Sequence, residues 1–366
     1  MRKTKAVILA GGEGTRLKPI TDKRPKPLVP IAGKPCIDYV IQSLVKAGFK
    51  EIIITTGYLS DTLIQNIGDG KQYGASILYS FEGTPLGTAG AVKNIEEFHD
   101  ETFIVASGDV LADVDIKTLY DYHKKKKGIA TMALTTIDNP SEYGIVDLNK
   151  EGKIVRFKEK PKRDEEFSHL INAGIYVLEP EALRYVPDDT PFDFSRGVFP
   201  KLLEKKIDIY GKTIEGLWMD IGRPSDLLNA NYEMSKRKGS KVSVAGIMNM
   251  DGTIMMENNV VFDKNVNVKG HCFIGENTRI SEESTIYNAY IHKHVYVSKG
   301  STIRDTLIMD GCMIGENSEI THCILSDDCK IGENVKMYNC LVGEGVRVKS
   351  HSTIADVKIV SGEIGG

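Results

Sequence analysis

The chain has 366 residues, with 47 Lys and Arg against 50 Asp and Glu, so its formal net charge is -3. At roughly 150 residues per domain, this length predicts two or three domains and excludes a single small module. Hydrophobic residues make up 41% and charged residues 27%, which excludes global disorder. The near-neutral charge argues against partners held by bulk charge, so we expect no nucleic-acid and no membrane partner.

The location of the protein is predicted from its apolar runs and its cysteines. No apolar run reaches the roughly 18 residues that a spanning helix needs. The N-terminal residues Met1–Lys5 are charged and lead directly into a strand-like run, unlike a signal peptide. The six cysteines include no CxxC pair, which favours reduced thiols. We therefore expect a cytoplasmic protein.

The first half of the chain alternates strand-like and helix-like patterns. Lys5–Ala10 and Glu51–Thr56 are apolar, β-branched runs that predict buried strands, and between them apolar residues recur at helical spacing up to Gly48. Similar strand-like runs occupy 76–81, 103–107 and 130–136. This alternation predicts an α/β domain with a Rossmann-like, mostly parallel sheet, whose ligands bind at the carboxyl ends of the strands.

The last third of the chain is a regular sequence repeat. Buried-type aliphatic residues recur in steps of 6, 6 and 5 over five rounds, for example at Ile274, Ile280 and Ile286, which makes a 17-residue period. A short fixed period predicts a solenoid with three flat strands per coil, and it resembles the hexapeptide-repeat left-handed parallel β-helix. We expect domains at 1–235 and 242–366, with a polar linker at 235–241.

The same period relates four of the cysteines. Cys312 and Cys329 are separated by one period, and so are Cys323 and Cys340. We expect each pair to stack on neighbouring coils as small packing residues, without a redox or metal role.

A glycine-rich turn follows the first predicted strand. It reads LAGGEGTRL over Leu9–Leu17, and its glycines let backbone N-H groups approach a phosphate closely. The turn is neither a Walker A loop, since no Gly-Lys-Ser/Thr follows, nor a dinucleotide GxGxxG motif, since Leu17 replaces the last glycine. Prolines bracket Lys26 and Lys34 further on, which holds both cations on stiff backbone.

The run GGEGTRLKPITDKRPKPLVPIAGKP at 11–35 resembles the signature of the sugar-1-phosphate nucleotidyltransferases. The later motifs resemble the GDP-mannose pyrophosphorylase branch of that family, which also has a C-terminal left-handed β-helix. These motifs are PLGTAGA (85–91), SGDV (107–110), EYG (142–144), FKEKP (157–161), NAGIY (172–176) and WMDIG (218–222).

The resemblance implies a reaction without a protein nucleophile. A sugar 1-phosphate oxygen attacks the α-phosphorus of a nucleoside triphosphate in line, and pyrophosphate leaves; catalysis is then positioning and electrostatic stabilisation. By family position, Arg16 neutralises the leaving pyrophosphate and Lys26 the phosphates at the reacting centre. Asp109 and Asp220 correspond to the aspartates that bind Mg²⁺, a hard cation that prefers oxygen ligands.

The same carry-over assigns binding residues. The nucleotide is expected at Leu9, Ala10, Gly11, Gly12, Gly14, Thr15, Glu82, Gly87, Thr88 and Gly108. The sugar phosphate is expected at Gly144, Glu159, Lys160 and Asn172, with Arg196 as a further candidate.

Glu82 is the residue that bears on the choice of base. The related thymidylyl and uridylyl enzymes have a glutamine at this place, whereas a carboxylate accepts the two adjacent donors that guanine offers. We therefore expect GTP and mannose 1-phosphate as substrates. The alternatives are UTP, dTTP or ATP with glucose 1-phosphate, a non-catalytic homologue that has lost its phosphate-handling residues, and an acyltransferase. Family analogy also leads us to expect a homo-oligomer.

Overall fold

The computed structural model describes residues 5–244, 246 and 248–365. Residues 1–4, part of the charged run that argues against a signal peptide, lie outside the described residues. The described chain forms two compact units: residues 5–13 with 36–220, and residues 14–35 with the described part of 221–365. We call residues 14–35 the signature segment. The domain limits at 235 and 242 stay a prediction.

The elements up to Lys238 alternate as the sequence predicts. The strands are β1 (Lys5–Leu9), β2 (Pro30–Ile31), β3 (Lys34–Pro35), β4 (Glu51–Thr56), β5 (Ser76–Phe81), β6 (Phe103–Ser107), β7 (Val110–Val114), β8 (Ala130–Thr136), β9 (Gly144–Leu148), β10 (Ile154–Glu159), β11 (Leu170–Leu178), β12 (Ile209–Thr213) and β13 (Gly216–Asp220). The α-helices are α1 (Cys36–Lys46), α2 (Ser60–Ile67), α3 (Gly87–Lys93), α4 (Ile116–Lys126), α5 (Phe199–Glu204) and α6 (Pro224–Lys238).

Short 3₁₀ turns and one π-helical turn complete this part of the described chain. The 3₁₀ turns are Thr15–Leu17, Ile20–Asp22, Lys26–Leu28, Lys71–Tyr73, Glu96–Phe98, Pro140–Glu142, Arg163–Glu165 and Pro180–Tyr185, and the π turn is Phe194–Val198.

The main sheet of the first unit is parallel where the sequence predicts a parallel sheet. Strands β5, β4, β1 and β6 lie side by side in that order, and all three pairings are parallel. The inner strands β1, β4 and β6 are buried on both faces, as in sheets that helices cover on both sides, and Val7, Ile8 and Ile54 are fully buried. Beyond β6 the sheet continues through β11, which is antiparallel to β6 and to β8.

The order of these strands creates a crevice at the end of β1. The chain passes from β1 through α1 to β4 on one side, and returns later through α3 to β6 on the other side. Such a reversal of direction is the point where open α/β sheets bind their ligands. The glycine-rich turn that begins after Leu9 therefore lies where the fold opens the sheet.

The second unit contains the predicted coils. Its strands are β14 (Ser240–Val244), β15 (Asn249–Met256), β16 (Val261–Phe262), β17 (Asn267–Ile274), β18 (Arg279–Ile280), β19 (Thr285–Tyr287), β20 (Tyr290–Ile291), β21 (Tyr296–Val297), β22 (Thr302–Arg304), β23 (Leu307–Ile308), β24 (Met313–Ile314), β25 (Glu319–Thr321), β26 (Ile324–Leu325), β27 (Lys330–Ile331), β28 (Lys336–Tyr338), β29 (Leu341–Val342), β30 (Arg347–Val348), β31 (Thr353–Ala355), β32 (Lys358–Ile359) and β33 (Glu363–Ile364).

Parallel pairing between successive coils confirms the 17-residue period. Arg279 pairs with Tyr296, and Tyr296 pairs with Met313. The end coils depart from the period, since Val261 pairs with Arg279 and Arg347 pairs with Glu363. The three strands of each coil form three faces of a left-handed β-helix around one aliphatic core.

The cysteines of the coils pack as the period predicts. All six cysteines of the chain are free thiols and buried. The Cys312 thiol donates to the Ser326 carbonyl, and the Cys329 thiol donates to the Gly343 carbonyl one coil later. The thiols therefore satisfy backbone carbonyls inside the helix, where burial raises the pKa of Cys272 to about 11.

The predicted linker at 235–241 is wrong. Ser235–Lys238 is the last turn of α6, and the chain enters β14 at Ser240. The basic residues that suggested a solvated linker suit a helix C-terminus instead, where cations interact favourably with the helix dipole. In the described part of the chain, no helix is both long enough and apolar enough to cross a membrane.

Candidate active site

The carboxyl ends of β1 and β6 hold the first half of the predicted phosphate site. Leu9 pairs with Ser107 in the parallel ladder, and the Gly108 amide donates to the Leu9 carbonyl over 2.9 Å. A Cβ on Gly108 would lie 2.8 Å from the Ile8 side chain, so this position requires glycine. A Cβ on Gly12 would meet no atom within 4 Å, so its backbone faces open space.

Glu82 lies over the same turn. Its backbone extends β5 by one hydrogen bond, because the Glu82 amide donates to the Thr56 carbonyl over 2.9 Å. The Leu86 amide donates to Glu82 Oε2 over 3.0 Å. The other oxygen, Oε1, lies 3.1 Å from where a Cβ on Gly11 would be, so the carboxylate contacts the backbone of the glycine-rich turn.

The PLGTAGA motif at 85–91 is held by an aspartate, Asp193, that the sequence did not single out. Asp193 Oδ1 accepts hydrogen bonds from the backbone amide and the hydroxyl of Thr88, both over 3.1 Å. The Thr88 hydroxyl in turn accepts from the Phe194 amide over 3.0 Å. Gly87 has a φ of 70°, and a Cβ there would lie 2.8 Å from the Phe192 carbonyl oxygen. These contacts fix the start of α3.

Strand pairing brings Asp109 and Asp220 together. Asp109 directly precedes β7, and Asp220 ends β13, where it is paired with Val110 in an antiparallel ladder. Directly paired residues of such a ladder lie about 5 Å apart, so Asp220 and the residue before Val110 are neighbours. Two distant segments of sequence thus bring the backbones of these two acidic residues close together after the end of β6.

This acidic pair has the donor chemistry of a magnesium site. Within residues 5–244, 246 and 248–365, no group of three or more His, Cys, Asp and Glu side chains is placed to hold a metal ion. Mg²⁺ does not need such a group, because it keeps several waters and takes one or two carboxylates plus phosphate oxygens. The residues present therefore fit this ion.

Glu159 and Gly144 meet across an antiparallel ladder between β10 and β9. A Cβ on Gly144 would lie 2.7 Å from Phe157 Cζ and 2.8 Å from Glu159 Oε2, so glycine at this position lets both side chains pack over its backbone. Burial raises the pKa of Glu159, and the nearby charges of Lys160 and Arg196 oppose that rise. Lys160 lies at the turn after β10 with a φ of 45°, and its amide donates to the Tyr143 carbonyl over 3.0 Å.

The π turn at 194–198 adds two polar residues to this group. Ser195 hydrogen-bonds the Glu159 carboxylate, and the charge of Arg196 opposes the rise in the pKa of Glu159 that burial causes. Single π-helical turns occur frequently at functional sites. The structure thus places the candidate Arg196 beside Glu159.

Asn172 lies on β11 where the strand departs from regular pairing. The register of β11 against β8 shifts between Asn172 and Tyr176. The Asn172 amide donates to the Tyr176 hydroxyl over 2.9 Å, while its oxygen accepts from the Gly174 amide over 2.9 Å. The indole N-H of Trp218 donates to the Ala173 carbonyl over 2.8 Å, which fixes the irregular part of the strand.

The basic candidates belong to the second unit. Arg16 lies in the turn Thr15–Leu17 and is exposed, as is Thr15, whereas Lys26 is only 6% exposed. Gly14 has a φ of 64°, and a Cβ there would lie 2.9 Å from the Lys26 Cβ. Glycine is therefore required at position 14 by both its left-handed conformation and the closeness of Lys26.

Two residues of this arrangement escaped the sequence analysis. Asp193 and Ser195 lie in the run PFDFSRG at 191–197, from which only Arg196 was selected. No spacing rule joins this run to Thr88 or Glu159, which are far away in the sequence. The proline and the concentration of polar residues between apolar ones indicated a turn, which is the available signal.

Family models match both parts of the chain. A model described as nucleotidyl transferase matches residues 5–237. A second model, described as the EIF2B subunit epsilon LbH domain, matches residues 251–354.

Curated relatives and solved structures agree with these matches. A UTP-glucose-1-phosphate uridylyltransferase from Synechocystis sp. is 36% identical over 292 residues, which is 76% of this chain and 75% of the relative. A mannose-1-phosphate guanyltransferase from Yarrowia lipolytica is 39% identical over 231 residues, covering 62% of each chain. The structure of HddC from Yersinia pseudotuberculosis superposes with a TM-score of 0.54 at 27% identity, over 63% of this chain and 99% of that one.

The environment of Glu159 predicts how stability changes with pH. Its pKa is raised in the folded state, so the stability linked to Glu159 falls as pH rises through that pKa. Glutamine does not ionise, so the free energy of unfolding of Glu159→Gln, measured relative to that of the unmodified chain, should be larger at pH 8 than at pH 4. Urea unfolding at both pH values measures the difference.

Glu165 is a control of opposite sign. Lys158 and the Lys162 amide lower the pKa of this exposed carboxyl, so its contribution is present at neutral pH and is lost as pH falls. Glu165→Gln should be slightly less stable than the unmodified chain at pH 8 and equal to it at low pH. Equal pH trends for the two variants would refute the role given to burial.

Proposed function

This chain belongs to the nucleotidyl transferase family as a sugar-1-phosphate nucleotidyltransferase, and we propose that it transfers GMP from GTP to mannose 1-phosphate. The products are GDP-mannose and pyrophosphate. The observation that carries the choice of GTP is the pair of contacts made by the Glu82 carboxylate.

The hydrogen bond from the Leu86 amide determines which atom of the residue 82 side chain is left to contact a base. Because this N-H needs an acceptor, one oxygen of residue 82 is directed toward Leu86. With glutamate the remaining atom is a second acceptor, Oε1, which lies toward Gly11. With glutamine the amide oxygen would take the Leu86 contact, and the remaining atom would be an NH₂ donor.

This difference separates guanine from uracil and thymine. Guanine presents two adjacent donors, N1-H and N2-H₂, to a carboxylate. Uracil and thymine present one donor between two carbonyl acceptors, which would face the lone pairs of Glu82. A buried polar group left without a partner costs about 1 to 3 kcal/mol, or roughly a tenfold to hundredfold preference.

The residues of the chain perform the transfer by position and charge. Backbone N-H groups of Gly11 and Gly12 hold the triphosphate, as glycines after a strand permit. Arg16 neutralises the charge that develops on the leaving pyrophosphate, and Lys26 does the same at the α-phosphate. Holding the sugar phosphate oxygen in line with the scissile bond supplies the remaining rate enhancement.

Asp109 and Asp220 would hold Mg²⁺. The ion supplies positive charge that the phosphate oxygens need in the transition state. The pairing of Asp220 with Val110, the residue after Asp109, supports this assignment.

The group around Glu159 binds the sugar phosphate. Glu159 and Asn172 accept or donate hydrogen bonds to sugar hydroxyls, Gly144 allows close approach of the ring, and Lys160 pairs with the phosphate. Its mixture of a carboxylate with two nearby cations, Lys160 and Arg196, suits a ligand that is both hydroxylated and anionic.

UTP with glucose 1-phosphate is the second candidate pair. The observation that favours it is the coverage of the Synechocystis uridylyltransferase, whose match extends over 76% of this chain. The two candidates share the fold and the mechanism, and they differ in what the base and the hexose contact.

A substrate panel combined with Glu82→Gln tests the base assignment. Pyrophosphate release is measured for GTP, UTP, dTTP, ATP and CTP, each with mannose 1-phosphate and glucose 1-phosphate. We expect GTP with mannose 1-phosphate to be used best by the unmodified chain. Glu82→Gln should lower kcat/KM for GTP by about tenfold or more and improve the relative use of UTP and dTTP.

The matched control is Glu51→Gln. Glu51 begins β4, whereas Glu82 lies next to Thr56 at the other end of that strand. Its nucleotide ranking should equal that of the unmodified chain. If Glu82→Gln leaves the ranking unchanged, Glu82 does not read the base; if no pair reacts at all, the non-catalytic alternative is correct.

Asp109→Ala and Asp220→Ala test the magnesium site. Each should reduce Mg²⁺-dependent turnover by at least about a hundredfold, because one carboxylate alone holds the ion poorly. Circular dichroism and the melting temperature should stay close to those of the unmodified chain. Asp113→Ala, which removes another carboxylate further along β7, is the control and should leave turnover near normal. Near-normal turnover in Asp109→Ala or Asp220→Ala would remove that residue from the site.

We further propose that the protein is a cytoplasmic homo-oligomer. Exposed aromatic residues on the outer surface of the β-helix, Tyr287, Tyr296 and Tyr338, support self-association. Light scattering at micromolar concentration measures the mass, and a monomer would contradict the proposal.

A further inference from the structure

We infer that the β-helix positions the signature segment for catalysis, and that Asp327 is the positioning residue through which it does so. The signature segment, residues 14–35, carries Arg16 and Lys26 and belongs to the same compact unit as the coils. The inference rests on the proposed roles of these two cations. It concerns how they are held, not what they bind.

The central contact is an ion pair between Arg24 and Asp327. Arg24 Nη2 donates to Asp327 Oδ2, and both side chains are largely buried, at 24% and 23% exposure. Arg24 Nη1 also lies 3.4 Å from the Met309 sulfur. A charge pair withdrawn from water is strongly sensitive to loss of one partner, since the other charge is left buried and uncompensated.

The coils hold Asp327 rigidly. Its second oxygen, Oδ1, accepts from the Asp310 amide over 3.1 Å, one coil earlier. Its carbonyl accepts from the Gly345 amide over 2.9 Å, one coil later. Acidic residues recur at 310, 327 and 344, and Glu344 pairs with Lys23 over 3.1 Å in a more exposed position. The less exposed pair is therefore the one more sensitive to loss of one partner.

The face of the β-helix that carries these contacts is covered. Phe273, Leu307 and Met309 are 0 to 2% exposed, although each directly precedes or follows an inward-facing core residue in the sequence. A Cβ on Gly33 would lie 2.4 Å from Phe273 Cζ, so the end of the signature segment lies directly on this face. On another face the equivalent Met313 is 49% exposed.

Helix α6 fixes the end of the segment. Asn231 is fully buried, and its oxygen accepts from the Ala32 amide over 2.8 Å. Its NH₂ group donates to the Leu227 carbonyl over 3.0 Å within the helix and lies 3.4 Å from the Pro30 carbonyl. The segment is thus held at its middle by Asp327 and at its end by Asn231.

Arg24 is connected to Lys26 and Arg16 by a short stretch of restricted backbone. Pro25 separates Arg24 from Lys26, and the backbone then enters the turn Lys26–Leu28. The Lys26 side chain packs against Gly14, and the Thr21 hydroxyl donates to the Gly14 carbonyl over 2.9 Å. A displacement of Arg24 therefore moves Lys26 and the turn that presents Arg16.

Asp327→Asn is the test variant. Asparagine retains Oδ1 as the acceptor for the Asp310 amide, so the coil is preserved, but the charge opposite Arg24 is lost. Asp310→Asn is the matched control, because its Oδ1 likewise accepts an amide, that of Lys293, over 3.0 Å. Asp310 occupies the same place one coil earlier and is exposed.

Two measurements are made on the full-length protein. Hydrogen exchange of the amides at 15–31 reports how firmly the segment is held, without reference to activity. Steady-state kinetics use the nucleotide and sugar pair that the unmodified chain uses best, so the result does not depend on GTP or mannose being correct. Asp327→Glu, which keeps the charge, is included as the conservative variant.

In Asp327→Asn we expect faster exchange at 15–31 and a kcat/KM for the nucleotide lowered by about tenfold or more, since small misplacements of positioned groups are costly. KM for the sugar 1-phosphate and the melting temperature should change little. Asp327→Glu should recover most of the activity, and Asp310→Asn should equal the unmodified chain. Unchanged exchange overturns the inference, and so does faster exchange with unchanged kinetics.

Discussion

Parallel pairing of β1 with both β4 and β6 is the constraint on which the nucleotide-binding part of the molecule depends. It places Leu9 between two buried strands and leaves the following glycines at the point where the strand order reverses. The backbone of a strand buried on both faces cannot shift without breaking two ladders of hydrogen bonds. The turn attached to this strand, where we propose that the phosphates bind, is therefore anchored at its start although it contains three glycines.

Polar groups far apart in the sequence meet because antiparallel ladders bring them together. The β7 and β13 ladder makes Asp109 and Asp220 neighbours, and the β9 and β10 ladder places Glu159 over Gly144. Burial raises the pKa of Glu159, while Lys160 and Arg196 limit the rise. Acidic and basic groups are thus balanced where an anionic, hydroxylated substrate is proposed to bind.

The β-helix contributes more than a regular spacer. Its core is a stack of aliphatic residues and buried thiols that repeats every coil, so side chains on its surface are held at fixed spacing. This regularity makes Asp327 a rigid support for Arg24, and so for the segment that carries Arg16 and Lys26. A solenoid of short, regular coils is well suited to such a role because each coil restrains the next.

Much of the fold follows from the sequence alone. The apolar runs at β1, β4, β5, β6 and β8 and the 17-residue period depend on local burial patterns, which side-chain hydrophobicity determines directly. Contacts such as Asp193 with Thr88, Ser195 with Glu159 and Arg24 with Asp327 were decided only by the tertiary structure. They join residues separated by tens to hundreds of positions. No periodicity encodes them, because each depends on where two independently formed elements pack.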